Sequence, residues 1–246
     1  MTQLPTSLDE AVEQAKQATV AALEAGYSLL QVELIFPEID LKAQSIAAEF
    51  IPALEKPDIQ LKVFFPDTGA AALARRDWGE TDFRVTDLGT NLSAIETRLA
   101  EDDGQFLVIA PSPVEVAQVE KLSQLAADRP VILLNPRLED IAIVGIGYAA
   151  RQLRERFIQT IESCYYLKPL ESGALFRCYP SPWEVWQEVE GQYHCLAQED
   201  TKPNADRLDE ILTGVGLDPK TASGAIAPQR RGLLQGLQNF LNALSR

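Results

Sequence analysis

The sequence predicts an α/β fold: a Rossmann-like, mainly parallel sheet with an antiparallel C-terminal extension. Three observations carry this expectation. Four apolar runs each break at a proline: Val32–Phe36 at Pro37, Leu61–Phe65 at Pro66, Phe106–Ala110 at Pro111 and Val131–Asn135 at Pro136. Proline donates no backbone N–H and pushes the preceding residue toward extended geometry, which suits the last rung of a strand. Amphipathic helical stretches lie between these runs, the alternation of a parallel sheet with helices on its faces. After about residue 150 the rhythm changes to short aromatic runs separated by turn residues, the punctuation of antiparallel hairpins.

Taken in order, Thr6 or Ser7 can cap a helix whose apolar positions Leu8, Ala11, Val12, Ala15, Ala18, Ala22 and Leu23 recur at helical spacing until Gly26 stops it. Leu30–Phe36 is the first predicted strand, and a helix near Lys42–Leu54 presents Ile46, Ala47, Phe50 and Leu54. Gln60–Phe65 reads as a strand, Thr68–Arg76 as an alanine-rich helix, Asp82–Asp87 as a strand and Leu92–Leu99 as a helix. Strand Gln105–Ala110, helix Val114–Ala127 and strand Pro130–Leu134 complete the parallel part. A helix near Arg151–Ile161 leads to the runs Cys164–Pro169, Ala174–Tyr179, Trp183–Glu190 and Gln192–Ala197. Residues 1–198 are therefore expected to form a single α/β domain, with a parallel core over about 1–150, an antiparallel extension over about 151–198, and a helical tail over 199–246.

Charge narrows the function classes. Lys and Arg total 22 against 36 Asp and Glu, a net charge of −14, whereas a nucleic-acid partner calls for a basic footprint. No nucleic-acid binding is expected. The start, Met1-Thr2-Gln3-Leu4-Pro5, has neither a basic n-region nor an apolar h-region, and Cys164, Cys178 and Cys195 are an odd number without CxxC spacing. A cytoplasmic, reduced setting follows as the expectation. His194 is the only histidine, so no metal site and no histidine-based catalytic residue are expected, and none of the carboxylate runs, such as Glu101-Asp102-Asp103, reads as more than a solvated turn.

Ligands of open α/β sheets gather outside the carboxyl ends of the strands. Asp67 and Thr68, Ser112, Asn135 and Arg137 occupy such ends and form a candidate ligand cleft, Arg137 being the natural partner of a carboxylate or phosphate. Asp67 and Thr68 are equally ordinary helix-capping residues. The run Gly145-Ile146-Gly147-Tyr148-Ala149-Ala150 resembles a dinucleotide fingerprint, with Glu171 downstream as a ribose carboxylate. That fingerprint belongs to a first βαβ unit, and here five predicted strands precede it, so no cofactor is expected. Pro180-Ser181-Pro182-Trp183-Glu184-Val185-Trp186 is the most distinctive patch: on a strand Trp183 and Val185 face one way, Glu184 and Trp186 the other, and an exposed tryptophan suits a partner surface. Gln229–Arg246 carries Leu233, Leu237, Phe240, Leu241 and Leu244 on one face, as a helix docked on its own domain, a membrane or a partner does.

Several segments carry a resemblance: Leu4-Pro5 with Ser7–Ala15, Arg156-Phe157-Ile158, Tyr165–Leu170, Gly173–Arg177, Tyr179-Pro180 and Trp183–Trp186. They resemble a domain-of-unknown-function family of cyanobacteria and chloroplasts. That family includes the plant low-photosystem-II-accumulation assembly factor and a domain fused to a chloroplast adenylate kinase. The likeness spans roughly Leu4 to Gln198. It implies a non-enzymatic accessory factor in photosystem II assembly, with assembly intermediates or chlorophyll-binding subunits as partners and peripheral contact with the thylakoid membrane. It brings no catalytic residues with it. The alternative left open by the residues themselves is a nucleotide- or phosphometabolite-binding enzyme, or a small-molecule sensor, using the strand-end cleft.

Overall fold

Reciprocal capping starts the first helix. Glu10 N donates to Ser7 Oγ at 3.1 Å while the Glu10 carboxylate accepts from Thr6 N at 2.7 Å, opening α1 at Leu8–Glu24. The computed structural model describes residues 3–37, 39–89, 95–138 and 148–214. The described chain divides into two compact units, one made of Thr19–Glu33 and Glu38–Ser163, the other of residues in 1–18, 34–37 and 164–246.

The first unit alternates strand and helix: β1 Leu29–Leu34, α2 Ala43–Leu54, β2 Gln60–Phe65, α3 Thr68–Trp78, β3 Arg84–Asp87, β4 Asp103–Ile109, α4 Val116–Ala126, β5 Val131–Leu134 and α5 Tyr148–Arg156. Its strands pair in parallel in the order β3-β2-β4-β5-β1. Period-two alternation sends Phe64, Phe106, Val108, Val131 and Leu133 to one face, where they bury Val119, Leu122 and Ala126 of α4. On the other face Phe65 meets Trp78 of α3 with ring centroids 5.6 Å apart. The chain thus leaves β2 and β4 in opposite directions, and right-handed crossovers put α3 and α4 on opposite sides of the sheet.

The second unit is an antiparallel meander: β6 Glu162–Leu170, β7 Gly173–Cys178, β8 Trp183–Val189 and β9 Gln192–Glu199, closed by α6 Ala205–Thr213. Glu190 and Gly191 turn β8 into β9 with φ of 53° and 80°, the positive pair of a type I′ hairpin. Gly173 permits a close backbone approach, since a Cβ there would lie 1.8 Å from the Trp186 carbonyl oxygen. Asn204 accepts from Arg207 N at 2.8 Å to cap α6, whose Ile211 is buried with Tyr166, Leu175, Trp183 and Val185. The chain is thus an α/β fold, its strands parallel in the first unit and antiparallel in the order β6-β7-β8-β9 in the second.

Several boundaries differ from expectation. Pro111 and Pro136 stand beyond the last rungs rather than in them, because Ala110 (φ 45°) and Asn135 (φ 50°) enter the left-handed region just ahead of them. Within the expected helix Leu92–Leu99, the described residues form only a 3-10 turn at Ile95–Arg98. The expected helix Arg151–Ile161 ends at Arg156, and a 3-10 turn, Ile158–Thr160, follows.

Charge also enters the sheet. Lys62 of β2, 5 % exposed, pairs with Asp103 of β4, 1 % exposed, at 2.5 Å. The Asp103 carboxylate further accepts from Ala100 N at 2.7 Å and from Arg84 at 3.0 Å, and Lys62 donates to the Arg98 carbonyl. Both oxygens of the carboxylate and two of the three ammonium donors are thus engaged by protein groups.

Candidate functional site

Three neighbouring strands, β2, β4 and β5, end at one edge, and the structure brings the strand-end candidates there. Their side chains are engaged locally. Asp67 caps α3 by accepting from Ala70 N at 2.9 Å, and Thr68 is the first residue of that helix. Ser112 Oγ donates to Glu115 at 2.6 Å ahead of α4. Asn135 is buried. Arg137 donates its backbone N–H to the Pro111 carbonyl and pairs its guanidinium with Asp40 at 2.9 Å. Asp40 follows β1, so this side chain leans away from the β2 end that carries Asp67. The crevice between β2 and β4, where the crossovers diverge, is flanked by Asp67 and Thr68 on one side and Ser112 on the other.

Two hollows open at the opposite, amino ends of the strands. One of about 280 Å³ is lined by Ser28, Leu29, Glu120, Arg156 and Phe157, with Arg156 paired to Glu120 at 2.6 Å. Another of about 590 Å³ lies among Lys56, Asp58, Ile59, Asp82, Phe83 and Asp102. Among the described residues no group of three His, Cys, Asp or Glu side chains is placed to hold a metal ion. Gly145–Gly147 and the tail from Gln229 to Arg246 lie outside the described residues, while Glu171 sits in the exposed turn between β6 and β7. Among the described residues no helix is long and apolar enough to cross a membrane.

The tryptophan patch divides between two faces of the meander. Trp183 is 4 % exposed, with its ring centroid 5.1 Å from that of Tyr166, and Arg177 and Lys202 stacked over it. Trp186 is half-buried on the other face and donates its indole N–H to Glu184 at 3.0 Å. Gln198 of β9 donates to the second oxygen of the same carboxyl at 3.0 Å. Cys195, across from Trp186, completes the patch. The residue reaches the surface, but its Sγ is tucked 3.5 Å from the Ala197 carbonyl, and burial together with the nearby Glu184 pushes the thiol up to about 11. His194 is exposed on the same strand.

The run Glu101-Asp102-Asp103, expected to be a solvated turn, is one only at Glu101 and Asp102: Asp103 opens β4 and is buried, where its carboxylate meets Lys62. Sequence reasoning did not single out Glu184, Gln198 or Lys62. The available signal was a charged residue at an apolar position: lysine inside Gln60–Phe65 and glutamate inside Trp183–Trp186.

The raised thiol has a direct check. Near pH 8 Cys195 should hold about 100-fold less thiolate than an ordinary cysteine, so iodoacetamide should modify it slowly, with the rate climbing toward pH 11. Glu184→Gln should move that profile to lower pH. An ordinary cysteine profile in the unaltered chain would contradict the placement of Cys195 against Glu184.

A family model described as Domain of unknown function (DUF1995) matches residues 5–210. No solved structure matches the chain.

Proposed function

Because the chain belongs to the DUF1995 family, a domain of unknown function, we propose that it is a non-enzymatic accessory factor assisting the assembly of chlorophyll-binding photosystem II subunits. One observation carries the reading. Most of the segments that resemble the assembly-factor family, from Ser7–Ala15 through Tyr165–Leu170 to Trp183–Trp186, fall in the antiparallel unit, around the patch where Trp186 stands half-buried. A half-exposed tryptophan beside a strand edge is the kind of anchor that transient partners use, through interfaces of modest area with one or two aromatic contacts. Deletion in the native photosynthetic host should lower photosystem II accumulation. Normal photosystem II levels in a clean deletion strain would overturn the reading.

A second reading, a nucleotide- or phosphometabolite-binding enzyme or sensor, is favoured by the β2–β4 crevice with a helix N-terminus on each side. A thermal-shift screen separates the two, since a ligand at 100 times its Kd adds about 2.7 kcal/mol to apparent stability.

A further inference from the structure

The outer hairpin carries a carboxyl group that no cation among the described residues pairs with. Glu184 is 2 % exposed, and among the described residues its two oxygens accept from the Trp186 indole and the Gln198 amide, both neutral donors. None of the ion pairs among the described residues includes it: Arg207 is spent on Glu199 and Glu210, while Arg177 and Lys202 stack over Trp183 on the other face. Taking a carboxyl from water without a cation works against stability, so its place in the middle of a strand calls for a reason.

The cover over this group is removable. Trp186 is half-buried and Gln198 exposed, and both hold the carboxyl through side-chain atoms alone, so either can swing aside without breaking the β8–β9 ladder. Among the described residues nothing pairs with the outer edge of the strand beyond. β9 is last in the strand order, runs for eight residues, and contains neither proline nor lysine, the residues that commonly blunt an edge. Its one irregularity, opposite Val185 and Trp186, leaves Gln198 directly across from Glu184. A further strand laid along β9 would lie ~10 Å, two strand spacings, from β8. A side chain there has to cross over Gln198 to meet Glu184, a reach that suits arginine or lysine and no shorter residue. The net charge of −14 favours the approach of a cationic segment.

We propose that Glu184 is the anchor for an arginine or lysine on an extended polypeptide segment that pairs with the outer edge of β9, with Trp186 closing over the cation. Main-chain pairing to the edge supplies the affinity and the carboxyl supplies the choice of side chain. The tryptophan face adds attraction for the charge once it is out of water. The proposal deepens the accessory-factor reading and rests on it for the partner being a polypeptide.

The test uses the full chain and a short fluorescein-labelled peptide of alternating threonine and valine with one central arginine. Beside it runs the same peptide with citrulline, which keeps the shape and removes the charge. Fluorescence polarisation should show saturable binding of the arginine peptide and binding weaker by about tenfold or more for citrulline. Glu184→Gln should abolish that preference, and Trp186→Ala should weaken the arginine peptide. Equal binding of the two peptides, binding of neither, or a folded Glu184→Gln chain that still prefers arginine overturns the proposal. The citrulline comparison needs no altered protein, so a Glu184→Gln variant that fails to fold leaves the test standing. Complementation separates the two readings. If Glu184→Gln restores photosystem II as fully as the unaltered gene, this anchor is wrong and the accessory role stands. If deletion has no photosystem II defect, the accessory role is wrong whatever the peptides show.

Discussion

Trp183→Ala should cost about 3–5 kcal/mol of stability, whereas Trp186→Ala should leave stability nearly unchanged and weaken partner capture. The two residues are three apart on one strand and differ in everything around them. Trp183 fills the space between Tyr166, Val185 and Ile211, and its ring is the platform on which Arg177 and Lys202 rest. Truncating it leaves a cavity under α6 and frees two cations from an aromatic face, losses that add to the transfer term. Trp186 gives up one indole hydrogen bond and a partly wetted surface. Urea denaturation of both variants decides the matter. A Trp183→Ala midpoint close to that of the unaltered chain would mean that α6 does not close this face in solution.

A second large effect is expected at the buried ion pair. Asp103→Ala should cost about 3–5 kcal/mol, because it strands the Lys62 ammonium inside the sheet and removes one of the acceptors of Arg84. The double replacement Lys62→Met with Asp103→Leu should recover most of that loss, since an apolar pair of similar volume needs no compensating charge. A double-mutant cycle measures the coupling. A loss below about 1 kcal/mol for Asp103→Ala alone would show that water reaches the pair and that its burial is not what holds β2 to β4.

Local chemistry explains how far the residues announced their structure. Gln60–Phe65 forms a strand over the very residues that predict it, because an apolar run is bounded by turn residues on both sides. The hairpins were legible for the same reason: Glu190-Gly191 is turn chemistry that few other structures accept. Alternation also places Trp183 and Trp186 on opposite faces, as they are. What local pattern cannot reach is pairing across distance. The order β3-β2-β4-β5-β1 decides which strand ends flank the β2–β4 crevice, and it follows from the direction of each crossover rather than from any residue. Arg137 shows the same limit: its position at a strand end was readable, but its pairing with Asp40 depends on β1 lying next to β5. Glu184 was hidden differently. It reads as a solvent-facing glutamate until Trp186 and Gln198 are seen to close over it.

The pairing of β1 with β5 has a consequence in time. Leu29 finds its rung at Val131, so a strand made early waits for about 100 residues of further synthesis before its partner exists. At ordinary ribosomal rates that is roughly 5 to 20 s, during which Leu30, Val32 and Leu34 have no ladder to join. Throughout that interval the nascent chain offers chaperones an apolar strand. Slowing elongation between β1 and β5 should therefore lower soluble yield more than slowing it after β6, where β7, β8 and β9 are each added beside the strand made just before.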